Sequence, residues 1–411
     1  MIRHCFPEFN DWLNALPDPR DPLMCRYSGA PLWWEVILVF LTRGGSRNAF
    51  DAKRNMGALP GNVQKLCAQL WDERLLGERT VTCSQNTIHH ADRIDPADVE
   101  PLLLKIIRRL MSMRMLDSGR LFNTWWRIAI DGTLQQRQRG KWRMVLEARL
   151  IGPWGIEMPC MVEFLDVHDP VRDKLDCELR GFDRLTRRLQ QAFPRLPICL
   201  LLDGLYAVEA VFERCQEYGW KYIISFKDGR QPASFAEAVE VMWMSPTHVW
   251  RARRAGEDGM VDQTARWAED MLISNHRMNV LFLSEITPHA ATLWAWATNF
   301  MLDAERMPEL VNAGGRARQR QEQNFNVLKN NGYGLEHAFC TRTNASKNYH
   351  IMLLVADIIW QILAQGVLGR IRHLTRKLTE VALVHLMLAN VLYLDLPPNP
   401  RTIGQIRFVP P

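Results

Sequence analysis

Two aspartates each close an apolar run and are each followed by glycine: Asp131 in Arg-Ile-Ala-Ile-Asp-Gly-Thr, and Asp203 in Ile-Cys-Leu-Leu-Leu-Asp-Gly-Leu-Tyr. A carboxylate emerging from a buried strand needs compensation for desolvation, and α/β folds place their ligands at strand ends. If the two strands are neighbours, the carboxylates converge and repel unless a cation lies between them. Ligation by oxygen alone, without histidine, favours Mg²⁺ or Mn²⁺ over zinc. An Asp-Gly pair also ends a strand as a plain turn, a reading that weakens when both pairs follow apolar strands. The third element is Arg318, Glu322, Phe325 and Lys329, at i, i+4, i+7 and i+11, which share one face of a helix. Arg318 then lies one turn before Glu322 and Lys329 two turns after it. A solvated stripe of ion pairs has the same spacing.

These residues need elements to hold them. Residues 1 to about 122 read as helical, with Trp33 to Leu41, Gly61 to Leu75 and Pro96 to Met115 carrying apolar residues at three and four spacing. Leu102, Leu103, Ile106, Ile107 and Leu110 make the clearest stripe, beside Lys105, Arg108, Arg109 and Arg114 on a face that is either solvated or binds a DNA end. From Trp126 the texture changes to strands over Arg127 to Asp131, Trp142 to Ile151 and Ile156 to Asp166. A helix over Leu175 to Phe193, a strand over Ile198 to Leu202, a helix over Ala207 to Tyr218 and a strand over Tyr222 to Phe226 follow. Three antiparallel strands, helix, strand, helix, strand is the order of a ribonuclease-H-like mixed α/β core. Residues 229 to about 292 break that rhythm with short strand-like runs and read as an insertion, before a strand over Thr292 to Phe300 and a long helix from about Ala304 to Asn330. Tyr349 to Leu394 is apolar and helical, suited to an interface or to core packing, and a Pro-rich tail ends the chain.

Composition narrows the classes. The 411 residues suit two to three domains at about 150 residues each, and 47% apolar content excludes disorder as the whole story. Fifty-one Lys plus Arg against 45 Asp plus Glu leave +6, an excess that matters only where bases cluster. One such cluster is Arg137, Arg139, Lys141 and Arg143, with no acidic residue between Gly132 and Leu146: a DNA-backbone contact or a solvated hairpin. The longest apolar runs are short of a membrane span or broken by charge, and no secretory signal is evident, so the expected location is the cytoplasm. Nine scattered cysteines without a C-x-x-C pair suit reduced, mostly buried thiols. Trp294 and Trp296 share a strand face, where packing is the plainer role and stacking on a flipped base the sharper one. His168, His337 and Cys199 draw notice by position only.

The spacing Arg318-x-x-x-Glu322-x(6)-Lys329 resembles the R, E and K of the Y-x-x-R-x-x-x-E-x(6)-K signature of DDE-type insertion-sequence transposases. Asp131 and Asp203 upstream complete the D, D, E order. The stretches Lys174-Leu-Asp-Cys-Glu-Leu-Arg180 and Asn326-Val-Leu-Lys-Asn-Asn-Gly-Tyr-Gly-Leu-Glu-His337 are also similar to this family, so the resemblance spans residues 120 to 345. It departs at the signature tyrosine, whose position is Gly315, and the sequence leaves open whether Tyr206 or another residue substitutes for it.

The resemblance implies a ribonuclease-H-like core at 123–345 holding Mg²⁺, for which Mn²⁺ can substitute, on Asp131, Asp203 and Glu322. It also implies a helical end-binding region at 1–122 and a helical C-terminal region at 346–411. Arg318 and Lys329 would grip phosphate, and the partners would be double-stranded DNA, as terminal repeats and target, and a second copy of the chain on paired ends. The alternatives are a catalytically decayed, sequence-specific DNA-binding regulator of the same element, and a nuclease of the same fold.

Overall fold

The computed structural model describes residues 1–25, 28–67, 83–138, 141–167, 174–256, 259–336, 339–367, 379–395, 406 and 408. Within these, the side chains of 135–138, 141–142, 166–167, 174–177, 319–322 and 367 lie outside the description. The chain is mixed α/β, built on one nine-stranded sheet of order β3-β2-β1-β4-β5-β9-β8-β7-β6.

β1 (Trp126–Gln138), β2 (Lys141–Ile151) and β3 (Glu157–Val167) form the expected antiparallel meander. The helix Lys174–Ala192 then crosses to β4 (Ile198–Leu202), which lies parallel to β1, and the helix Glu209–Tyr218 crosses to β5 (Lys221–Ser225), parallel to β4. β4 is buried along its whole length. Its alternate residues serve two cores: Ile198, Leu200 and Leu202 join one cluster, while Cys199 and Leu201 join another with Ala129, Ile223 and Trp296.

The stretch 229–292 is rich in strands, but it does not form a sheet of its own. After the helix Pro232–Met244 come β6 (Val249–Gly256), β7 (Gly259–Ile273) and β8 (His276–Ile286), and β9 (Ala291–Thr298) pairs with β8 on one side and with β5 on the other. These strands therefore continue the one sheet, with β3 and β6 as its two margins.

The N-terminal helices follow the apolar periodicity, with two adjustments. Gly29–Leu41 is buried on nearly every side, and Leu102, Leu103, Ile106, Ile107 and Leu110 are all buried. The expected helix over 96–115 is split into Pro96–Val99 and Pro101–Ser112, because Pro101 has no N–H to continue the ladder. The expected helix over 61–75 is seen as Leu59–Leu66, and residues 68–82 lie outside the description.

Thr343–Gln361 is the central helix. It packs against Gly29–Leu41, Ser84–Asp92 and β3, so N-terminal helices, sheet and C-terminal helix share one hydrophobic cluster. With its continuation to Gly366 it is the only helix among the described residues long and apolar enough to cross a membrane, and most of that stretch is buried inside the molecule. A sealed ionic network joins it to the sheet. Arg149 donates to Glu147 (2.7 Å) and Asp357 (3.0 Å), His350 meets Glu147 at 3.0 Å, and Gln361 bonds Asp357 and both backbone groups of Glu157. The eight cysteines described are all free, six of them buried.

Candidate active site

Register places the two aspartates together. In the parallel pairing of β1 with β4, Ala129 is level with Leu201, so two residues further on Asp131 is level with Asp203. Asp203 does end its strand, as expected. Asp131 does not: β1 continues to Gln138, paired from Asp131 onward with β2 alone. The site thus opens where β4 stops and the β1–β2 hairpin carries on.

A single guanidinium bridges the two carboxylates. Arg318 Nη2 donates to Asp131 Oδ2 at 3.2 Å, and its Nη1 lies 3.7 Å from Asp203 Oδ1. Asp131 Oδ1 also accepts from the Gly132 amide at 2.9 Å. The Asp131 side chain is 15% exposed and that of Asp203 34%, with Lys227 Nζ, on the loop after β5, 3.9 Å from Asp203 Oδ1. That oxygen is buried and has no hydrogen-bond partner among the described residues.

Arg318 reaches this position because the expected long helix from Ala304 is broken. Met307–Glu309 runs into a π-helical Leu310–Gly314 and a 3₁₀ turn at Gly315–Ala317 before the regular helix Arg318–Asn330. The two glycines explain the irregularity: a Cβ on Gly314 would lie 2.4 Å from Ile223 Cδ1, and one on Gly315 2.4 Å from Trp296 Cε2. This segment approaches the sheet so closely that only glycine fits. Arg127 holds it from β1, donating to the Ala313 carbonyl. No side chain can stand at the position where the resemblance expects tyrosine.

Glu322 lies one turn along this helix from Arg318, and its side chain is outside the described residues. Lys329, two turns further, pairs with Glu336 at 2.9 Å. Of the basic hairpin, Arg139 and the side chains of Arg137 and Lys141 lie outside the description. Arg143 is described and corrects the expectation: it is 1% exposed and donates to Ser346 Oγ at 2.8 Å on the central helix, so it is not part of a surface that meets DNA. His168 and His337 also lie outside the description. Cys199 is a buried thiol whose burial pushes it far above its usual range. Trp296 packs in the core and Trp294 stacks beside it at 6.1 Å, in line with the plainer of their two roles.

Two neighbours, Lys227 and Glu178, escaped the sequence reading. Lys227 approaches Asp203, and Tyr206, three residues after Asp203, donates its hydroxyl to Glu178 Oε1 at 2.8 Å. Burial, then the Glu178 charge and hydrogen bond, push the Tyr206 phenol well above its ordinary value, so it remains a donor. Glu178 could have been found: with Phe182, Leu185 and Leu189 it falls at i, i+4, i+7 and i+11 on the buried stripe of its helix, where a carboxylate needs a reason. A separate group, Glu209, Glu213 and His276, brings its ligand atoms within 4.8 Å of one another, but both glutamates are exposed and no second feature marks an ion there.

Compared with known proteins, the sequence matches no family model and no curated protein.

Proposed function

We propose that the protein is a DDE-type DNA transposase, cutting the ends of an insertion sequence and joining them to target DNA. The observation that carries this reading is the level pair Asp131 and Asp203 on adjacent parallel strands, bridged by Arg318 one helical turn before Glu322. The order of three antiparallel strands followed by two helix-strand crossovers supports a ribonuclease-H-like core, and the β-rich insertion falls between the last core strand and the glutamate-bearing helix.

The donor set fits a hard divalent cation. It consists of carboxylate oxygens, one of them a buried Asp203 oxygen without a hydrogen bond among the described residues, and includes no sulfur or imidazole. Asp131, Asp203 and Glu322 would hold Mg²⁺ or Mn²⁺, which when bound supplies Lewis-acid activation of the attacking oxygen and stabilisation of the leaving one. The remaining chemistry belongs to the chain. Asp131 is fixed by the Gly132 amide, and Asp203 is fixed at the end of a fully buried strand. The Arg318 fork matches phosphate as well as carboxylate, so exchanging its partner couples DNA binding to exposure of the carboxylate oxygens. Hydrolysis by water then frees a 3′-hydroxyl at each end, and that hydroxyl attacks a target phosphodiester in line, joining to its phosphorus as the target strand's own 3′-oxygen leaves and takes up the proton.

The test is cleavage of a duplex bearing the sequences that flank the gene, with Mg²⁺ or Mn²⁺, comparing wild type with Asp131→Ala, Asp203→Ala and Glu322→Ala. The expected result is that wild type cuts while all three variants bind and do not cut. One observation favours a second reading, a decayed element that only binds its repeats: Gly315 leaves no room for the signature tyrosine. Specific binding by wild type with no metal-dependent cutting would replace the enzyme by that regulator.

A further inference from the structure

We infer that Glu178 and Tyr206 form a clamp that sets the separation of Asp131 and Asp203, making both of them positioning residues for the site. The inference rests on the catalytic reading of the two aspartates and goes beyond it by naming what holds them in place.

The clamp joins the two strand ends through one helix. On the Asp131 side, Glu178 lies against the backbone at Gly132: a Cβ there would sit 3.3 Å from Glu178 Oε1 and 3.0 Å from Leu146 Cδ2. On the Asp203 side, Tyr206 closes the 3₁₀ turn Gly204–Tyr206, its amide donating to the Asp203 carbonyl at 2.9 Å. The helix Lys174–Ala192 takes hold of that turn twice. Glu178 Oε1 accepts the Tyr206 hydroxyl at 2.8 Å, and Phe182, one turn on, packs its ring 5.0 Å from the tyrosine ring. From the other side the turn is backed by β5, where a Cβ on Gly204 would come within 3.0 Å of the Ser225 carbonyl. Tyr206 and Glu178 are both buried, so the bond is shielded from competing water. The turn carrying Asp203 is therefore gripped between β5 and a helix that also abuts the residue after Asp131. Groups that orient metal-binding carboxylates in this way influence affinity without touching the ion.

The experiment uses the full chain as wild type, Tyr206→Phe, Glu178→Ala and Glu178→Gln. It measures Mn²⁺ binding by calorimetry without DNA, the Mg²⁺ needed for half-maximal cleavage, and backbone hydrogen exchange over residues 203–207. Tyr206→Phe and Glu178→Ala should each weaken Mn²⁺ binding about tenfold and raise the Mg²⁺ requirement to match, with faster exchange in the turn. Glu178→Gln should recover to within about twofold of wild type, because its amide oxygen still accepts the phenol. Wild-type Mn²⁺ binding in Tyr206→Phe overturns the clamp, whether or not the turn loosens. Glu178→Gln as impaired as Glu178→Ala, beside a normal Tyr206→Phe, overturns it too. If wild type neither binds Mn²⁺ nor cuts, the catalytic reading falls and takes the clamp with it; if wild type does both, a failure belongs to the clamp alone.

Discussion

Asp131 and Glu147 stand opposite each other on β1 and β2, on the same face of the sheet, yet they belong to unlike electrostatic settings. Glu147 is sealed: burial alone would raise its carboxyl, but Arg149 at 2.7 Å, together with His350, holds it below the usual carboxylate range. Asp357, in the same network, goes the other way, with burial outweighing Arg149. Asp131 shares its guanidinium with Asp203, at 3.2 and 3.7 Å, and both carboxylates reach solvent. Short, dry contacts lock charges into the fold. Longer contacts at an opening leave them exchangeable, which is what the proposed binding of cations and phosphates would require.

The largest way to break this contrast lies in the sealed network. Asp357→Ala removes one of the two carboxylates paired with the buried Arg149 and should cost about 3–5 kcal/mol of stability, read from urea unfolding. A loss below about 1 kcal/mol would mean that the network is no tighter than the open site.

A second sealed group sharpens the point through pH. Burial pushes His90 down to about 4 from its ordinary 6.5, with Asp18 at 3.8 Å opposing the shift only in part. Below pH 6.5 the unfolded chain takes up a proton that the folded one refuses until about pH 4. The stability this site contributes is thus complete above pH 6.5 and falls by about 3 kcal/mol as pH drops towards 4. His90→Gln should flatten that slope in melts at pH 7, 6 and 5; an unchanged slope would assign it to other groups.

At the open site the packing beneath Arg318 comes next. Gly315→Ala drives a methyl into Trp296 and should cost about 1–3 kcal/mol, lowering the denaturation midpoint. Wild-type stability in that variant would mean that the segment has slack. The smallest effect belongs to Lys227→Ala: its side chain is 71% exposed, so stability should shift by less than about 0.5 kcal/mol. If Lys227 meets phosphate, the slope of log binding against log salt falls by about 1, and an unchanged slope would exclude that contact.

What the sequence made legible was local. The apolar run of β4, the stripe of Leu102 to Leu110 and the Asp203 strand end are written in neighbouring residues, and the structure follows them. The misses depend on distant partners. β1 runs past Asp131 because β2 continues beside it, Arg143 is buried by Ser346 some two hundred positions later, and Gly315 is dictated by Trp296 across the sheet. Glu178 stood in a stretch already noticed, but only Tyr206 gives it a task. Periodicity reports which face a residue takes and is silent about what will meet it there.

The margins of the nine-stranded sheet carry one more consequence. At β3 the Val162 amide is capped by Glu100 at 2.7 Å and its carbonyl by Arg188, also at 2.7 Å; at the far margin, β6 exposes Arg251 and Arg253. Capped or charged borders make poor templates for strand addition. Copies of this chain should stay dispersed rather than stack border to border when concentrated, and any pairing between them should use surfaces other than the sheet margins.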